Sequence, residues 1–328
     1  MVSRVLKWAL GGLMAAVVLP VALVAVPCVV TLTSTPPSSA KVADAAQTQY
    51  PIVLAHGIMG FAYAGKQSYW HDIPETLQAH GAQVFVTQVS AFNSSEVRGQ
   101  QLLDQVQKIM QETGAKKVNL IGHSHGSQSV RFVAGMRPEW VASVTAISGP
   151  TKGSEVADWL SELEGSHPTM AGWILGFGDA VGGMINGITN ANLPIDSRQA
   201  MMSLTSSGAG SFNQRFPAGV PEQPCGEGGN VVNGVRFYSW SSVGQFYRAL
   251  NLSDYLMSLT GTAFSREKDL ENDGLVGKCS SHLGQVIRDD YPMNHFQIVN
   301  QFSGLVGPGA DPVGLMLEHA HRLKEAGL

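Results

Sequence analysis

Gly122-His123-Ser124-His125-Gly126 sets a serine between two glycines at the spacing G-x-S-x-G. A serine hydroxyl is a weak nucleophile until a base removes its proton, and that base needs an acid to orient it. In a chain with 37 glycines the five residues alone decide little; their setting decides more. Val118-Asn119-Leu120-Ile121 reads as a strand before them, and Val130, Phe132 and Val133 mark a helix after them that stops near Pro138. A sharp strand-to-helix turn lifts the serine hydroxyl out above a sheet, and small neighbours avoid the clash. The chemistry on offer is attack on a carbonyl, with Ser124 as candidate nucleophile.

Where such a turn is used, the chain order is serine, acid, histidine. His123 and His125 flank Ser124 on the backbone, so their side chains point away from its hydroxyl, and His167, His282, His295, His319 and His321 remain. His167 lies in an apolar stretch, and His319 and His321 fall in a terminal helical pattern that predicts solvated side chains. His295 ends Asp290-Tyr291-Pro292-Met293-Asn294-His295, a loop after Val286-Ile287; a loop past a late strand is where the base belongs, with His282 as the alternative. For the acid, Asp254, Asp269, Asp273, Asp289 and Asp290 lie between nucleophile and base. Asp273 begins a turn with Gly274-Leu275-Val276 tied to Cys279, whereas Asp289 and Asp290 beside Arg288 are expected to be solvated. Two backbone N–H groups are needed for the developing oxyanion. His125 should supply one, and Ile58, in His56-Gly57-Ile58-Met59-Gly60-Phe61, the other.

Elements to position these residues follow from the pattern. Ile52-Val53-Leu54, Val84 to Val89, Val118 to Ile121 and Val141 to Ile147 read as buried strands. Between the second and third, Asn93 with Glu96 forms a capping box, Leu102, Leu103, Val106, Ile109 and Met110 form an apolar face, and Gly114 ends the helix. Val231-Val232-Asn233-Gly234-Val235-Arg236-Phe237-Tyr238 predicts a hairpin. The class is α/β, a mainly parallel sheet with helices on both faces, in one domain over residues 46–328. A net charge of −4 in 328 residues argues against nucleic acid as a partner.

Two segments stand apart. Arg4 and Lys7 precede a stretch from Trp8 to Ala40 without a charge, and Ala43-Asp44-Ala45 offers a cleavage site. Residues 1–45 are therefore expected to be a signal peptide, removed on secretion, or an anchor kept in the membrane. Export leaves Cys225 and Cys279 as a pair, and a disulfide between them is expected, worth about 4 kcal/mol in the chain-entropy model. From His167 to Ile195 the only charge is Asp179. Six glycines between 172 and 187 suit a mobile apolar flap better than a rigid core helix. A lid over about 155–195 is expected, with Trp173, Ile174, Leu175 and Phe177 covering a pocket.

Several blocks together resemble the Pseudomonas-type secreted triacylglycerol lipases: Tyr50 to Gly57, Val118 to Gly126, Asn272 to Gly277, Cys279 to Gly284 and Met293-Asn294-His295. The resemblance implies the α/β-hydrolase fold, a triad of Ser124, Asp273 and His295, oxyanion donors Ile58 and His125, the Cys225–Cys279 disulfide and a lid. It also implies a lipase-specific foldase and a type II secretion system as partners. One departure concerns a structural calcium, which the family holds with two aspartates and backbone carbonyls; the matching positions are Asn251 and Gln297. Calcium affinity grows with ligand charge, so two neutral amides predict little binding and no metal requirement. Glu267, Asp269 and Glu271, in a loop that looks longer than the family's, are expected to be solvated surface charge rather than a displaced site. The expected activity is that of a secreted serine carboxylester hydrolase, a triacylglycerol lipase. A short-chain esterase or polyester hydrolase with the same triad, and an anchored non-catalytic binding protein, are the alternatives.

Overall fold

The computed structural model describes residues 44–247, 251–265 and 269–328. The expected leader, all but its last two residues, lies outside the described residues. In chain order the first elements are β1 (Ile52–Ala55), the small hairpin β2 (Tyr63–Ala64) and β3 (Gln67–Ser68), α1 (Ile73–Ala79), β4 (Val84–Thr87) and α2 (Ser95–Thr113). Next come β5 (Val118–His123), α3 (Gly126–Met136), β6 (Val141–Ile147), and the helices α4 (Glu155–Ser166), α5 (Pro168–Thr189), α6 (Ser197–Leu204) and α7 (Ser206–Arg215). The hairpin β7 (Val231–Val232) and β8 (Val235–Ser242), α8 (Leu252–Gly261), β9 (Gln285–Tyr291), α9 (Gln301–Gly304) and α10 (Pro312–Glu325) complete the chain.

The strands make one sheet in the spatial order β4-β1-β5-β6-β8, with β9 on the far edge of β8, all of these pairs parallel. β7 pairs antiparallel with the start of β8 through an Asn233-Gly234 turn whose residues both have positive φ. Burial on both faces explains why β1 is apolar without alternation. Ile52 and Leu54 face a core with Trp70, Ile73, Leu77 and Met316, under α1 and α10. Val53 and Ala55 face the opposite core with Leu102, Val106 and Val130, under α2 and α3.

Helix α2 carries the predicted apolar stripe and stops at Gly114 in the left-handed region. Its cap sits one residue later than expected: Ser94 Oγ accepts from Val97 N at 3.2 Å, while Asn93 accepts from Ser94 N. Asn93 instead ties the loop outward, donating to Pro194 O. Cys225 and Cys279 are disulfide-bonded.

The apolar segment differs from expectation. Residues 168–189 form one continuous helix, α5, despite the glycines. Gly178 and Gly182 let it lie close to Ser197, Ile195 and Phe92, where a Cβ would collide; the other four glycines between 172 and 187 face open space. Leu175 and Ile185 are buried, whereas Trp173 is 79% exposed and so does not cover a pocket. The single charge, Asp179, accepts the N–H of Ser197 at 2.8 Å at the start of α6, where a helix N-terminus favours an anion.

His319 is also corrected. It is buried, not solvated, because α10 turns it under the sheet: Nε2–H donates to Thr145 Oγ1 of β6 at 2.8 Å and Nδ1 accepts from Arg322 at 3.1 Å. Burial first, then Arg322, pulls its pKa down from 6.5 to about 3. The folded pKa lies below the unfolded one, so between pH 6.5 and 3 the unfolded chain binds the extra proton. This contribution to stability is therefore complete above pH 6.5 and falls as the pH drops through that window. Replacing His319 with Gln, which keeps a donor for Thr145, removes this contribution. Urea unfolding at pH 7.5 and 4.5 should show wild type losing roughly 2–3 kcal/mol more than His319→Gln between those conditions. Equal losses would mean that His319 does not titrate this way.

Candidate active site

Of the three residues that sequence reasoning picks out, Asp273 and His295 meet directly, and Ser124 stands at the carboxyl end of β5. Ser124 follows β5 directly and sits at φ 55°, in the left-handed region that a residue with a side chain avoids. The turn is possible because both glycines of the motif are needed where they are. A Cβ on Gly126 would lie 2.2 Å from the Ala55 carbonyl oxygen of β1, and one on Gly122 would lie 2.4 Å from the Gly126 carbonyl oxygen. The Ser124 N–H is fixed by a bond to Ile147 O of β6 at 2.9 Å.

His295 lies in the loop after β9. Its Nδ1–H donates to Asp273 Oδ2 at 2.9 Å and its backbone N–H to Asp273 O at 3.0 Å. Asp273 is fully buried, and its other carboxylate oxygen accepts from Leu275 N at 3.1 Å and Val276 N at 2.8 Å. Two bonds thus join the pair, and two more fix the carboxylate to its own turn. His295 Nε2 is buried and, among the described residues, has no hydrogen-bond partner.

His282 is a poor rival for a stated reason. It also meets a carboxylate, Asp289, at 3.0 Å, but its second nitrogen is engaged by Gly226 O at 3.0 Å, so neither nitrogen is left to take a proton. Asp289 is accordingly not a solvated charge; it also lies 3.7 Å from Lys278. Asp290 does stay exposed, paired with Arg288. Asp269 is buried rather than solvated, accepting from Ser280 N at 3.0 Å, and Glu271, exposed as expected, pairs with Lys278. Glu267 lies outside the described residues. Asp254 is buried beside the His295 loop: Oδ1 accepts from Asn294 and Gln297, at 2.7 and 3.0 Å.

Three buried groups that the sequence reading left without a role support the turn. Arg98, on the apolar stripe of α2, donates to His56 O at 2.6 Å, Gly57 O at 3.2 Å and Ser90 O. It thereby fixes the loop after β1. Its signal was available: a lone arginine at the 98, 102, 106 spacing of buried positions. His56 spans the same loop, Nδ1–H to Gly57 O and Nε2 from Val89 N–H, and burial with Arg98 nearby pulls its pKa down to about 3, so it stays neutral. Tyr69 joins the loop to the base. Its hydroxyl accepts from Gly57 N–H at 3.1 Å and donates to His123 Nδ1 at 2.7 Å, and His123 Nε2–H donates to His295 O at 2.9 Å. Burial, then His295, holds His123 well below its usual pKa, which keeps it neutral for these roles. The rings of His123 and His295 are 4.7 Å apart. Among the described residues, the backbone N–H groups of Ile58 and His125 are used by no other hydrogen bond.

The arrangement can deprotonate a serine, hold the resulting imidazolium and receive a developing oxyanion. The comparisons with known proteins bear on the family. Residues 50–297 match the family described as alpha/beta hydrolase fold. A triacylglycerol lipase of Vibrio cholerae is 48% identical over 287 residues, covering 86% of this chain and 90% of that one. One from Pseudomonas fragi is 42% identical over 294 residues, covering 87% and 99%. Among solved structures, lipase 1 from Pelosinus fermentans superimposes with a TM-score of 0.58 at 16% identity, over 85% of this chain and 99% of that one. At that identity the likeness speaks for the fold.

The left-handed turn at Ser124 has a measurable consequence. Ser124→Ala and Ser124→Gly both delete the hydroxyl, but only glycine relieves φ 55°. The glycine variant should be more stable than the alanine variant by about 1 kcal/mol in urea unfolding. An alanine variant as stable as the glycine one would mean that the turn relaxes and stores no strain.

Proposed function

Because the chain belongs to the alpha/beta hydrolase fold family and is similar to bacterial triacylglycerol lipases over most of its length, we propose that it hydrolyses triacylglycerols through an acyl-enzyme on Ser124. One observation carries the reading. A buried imidazole is held by a carboxylate through Nδ1 while its Nε2 is left free among the described residues, and its ring lies 4.7 Å from that of His123, the chain neighbour of a serine in a left-handed turn. A general base needs that one free nitrogen.

In this mechanism His295 Nε2 takes the Ser124 proton as Oγ attacks the ester carbonyl. Asp273 stabilises the imidazolium and keeps the correct tautomer. The carbonyl oxygen, now negative, receives the N–H groups of Ile58 and His125; one such donor is typically worth about 100- to 1000-fold in kcat. The C–O bond to the alcohol breaks as the imidazolium returns its proton to the leaving alkoxide. Water, deprotonated by the same nitrogen, then attacks the acyl carbon; the bond to Ser124 Oγ breaks as the imidazolium returns the proton to Oγ, and the fatty acid leaves.

Helix α5 is the lid in this reading. Its Val181 and Ile185 pack with Ile58 and Phe61 of the oxyanion loop. Ser124 is only 6% exposed and His295 1%, so a triacylglycerol reaches them only if α5 moves away. The outer face presents Trp173, Met184 and Ile188 to solvent. At an oil surface this face and the uncovered inner face are both buried, at about 25 cal/mol per Å², which favours the open form. Export as a secreted enzyme fits the leader and the disulfide. A dedicated foldase and type II secretion complete this proposal, carried by the resemblance alone.

Two experiments test it. Ser124→Ala should abolish ester hydrolysis, and on the same substrate Asp273→Ala should lose less activity than His295→Ala, since Asp273 orients and His295 transfers the proton. Loss of activity in His282→Ala with His295→Ala left active would overturn the base assignment. Separately, the rate on tributyrin should rise steeply once the substrate passes its solubility limit, and Trp173→Ser should blunt that rise while leaving hydrolysis of dissolved monomers unchanged. A plain hyperbola through that limit, indifferent to Trp173→Ser, would reduce α5 to a structural helix and favour a short-chain esterase.

A further inference from the structure

Behind the His295 loop the chain builds a hydrogen-bonded corner from four amide and carboxylate side chains. Asp254, fully buried near the start of α8, accepts Asn294 Nδ2 and Gln297 Nε2 on Oδ1, and the Tyr247 N–H on Oδ2 at 2.6 Å. Asn294 and Gln297 are the residues one before and two after His295. They are also braced to each other: Asn294 Oδ1 accepts from Gln297 N at 3.0 Å and from Phe296 N at 3.1 Å, and Gln297 Oε1 accepts from Asn294 N at 3.3 Å. Asn251, the cap of α8, accepts from Ser253 N at 3.1 Å and Ser253 Oγ at 2.8 Å, and donates Nδ2–H to Leu305 O at 3.2 Å.

These bonds leave no freedom in the amide orientations. Leu305 O and the Asp254 carboxylate require donors, while the N–H groups of Ser253 and Asn294 require acceptors, so Asn251 and Gln297 cannot be flipped without setting like groups against each other. The groups turned toward Asp254 and Leu305 are therefore N–H donors. A calcium ion takes six to eight oxygen ligands and gains affinity from their charge. Donors facing inward, with both amide oxygens already engaged elsewhere, do not fit that ion.

We propose that Asp254 is a positioning residue for His295, and that its amide clamp holds the histidine loop in place of a bound cation. The proposal rests on His295 being the base. Charge-assisted bonds from one oxygen to both flanks of the turn are among the stronger hydrogen bonds available, and they add to the ties that its histidine makes, among the described residues, to Asp273 and His123. Small displacements of a reacting group cost large factors in rate, about 100-fold for 1 Å.

The experiment compares wild type, Asp254→Asn and Gln297→Met on a dissolved p-nitrophenyl ester, with excess chelator and with millimolar calcium chloride. It adds the downfield proton NMR signal of the His295 Nδ1–H. Asp254→Asn sets an amide against the amide donors and should lower kcat about ten- to a hundredfold, with KM within about twofold of wild type. It should also broaden or shift the downfield signal. Gln297→Met removes the bonds of Nε2 to Asp254 and of Oε1 to Asn294 N at little change in shape, and should move both readouts the same way while leaving the Asn294–Asp254 bond, so it decides if Asp254→Asn does not fold. Calcium and chelator should leave the wild-type melting temperature and kcat unchanged. Calcium raising that temperature by several degrees, or variants with kcat and NMR signal matching wild type, would overturn the clamp. A wild type inert toward every ester, with its NMR signal still perturbed by the variants, would count against the hydrolase reading and not against the clamp.

Discussion

The backbone at Ser124 has to turn left-handed between the end of a parallel strand and the start of a helix, and the neighbouring structure is arranged so that it can. The sheet order places β1 beside β5, so the Ala55 carbonyl presses on position 126 and only glycine fits there. Strand β6, on the other side, supplies the Ile147 carbonyl that pins the Ser124 N–H. Once the turn is fixed, the hydroxyl stands at the carboxyl edge of the sheet, where the loops after β1 and β9 also arrive. A residue in this region of φ costs on the order of 1 kcal/mol, which the surrounding parallel pairs must offset.

Around that turn lies a shell of buried polar groups, each bonded in a way that leaves the reacting atoms free. Arg98 and His56 hold the loop after β1 through its carbonyls, so the Ile58 N–H stays available. Tyr69 and His123 connect this loop to the backbone of His295, while Asp273 holds its side chain and Asp254 holds its flanks. Burying ionised groups is unfavourable unless hydrogen bonds compensate, and here they do. The compensation is what makes the geometry rigid. Rigidity of this kind stabilises a transition state because no reorganisation is needed as charge develops.

Much of this was legible in the sequence, and the boundaries of what was legible are physical. Strands buried on both faces read as unbroken apolar runs, so β1, β5 and β6 were placed within two residues. Gly114 and Asn233-Gly234 were found because their φ values demand those residue types. What the sequence obscured were partners distant along the chain. His319 looked solvated in its amphipathic pattern, yet Thr145, in β6 far earlier in the chain, is its partner. Asp254 was weighed only as a triad acid, since nothing local says that its donors are Asn294 and Gln297. Arg98 could have been noticed on its buried stripe, although its carbonyl partners could not. Counting glycines misled for α5, because two of them serve close packing against Phe92 and Ser197 and so favour the helix in place.

The account turns on Ser124 as the atom that becomes acylated. Reaction with a fluorophosphonate ester, followed by proteolysis and mass spectrometry, reads that directly. One equivalent of phosphonate on the peptide carrying Ser124 is the predicted result. A hydrolytically active protein that carries the label on a different serine, or none at all, would contradict it.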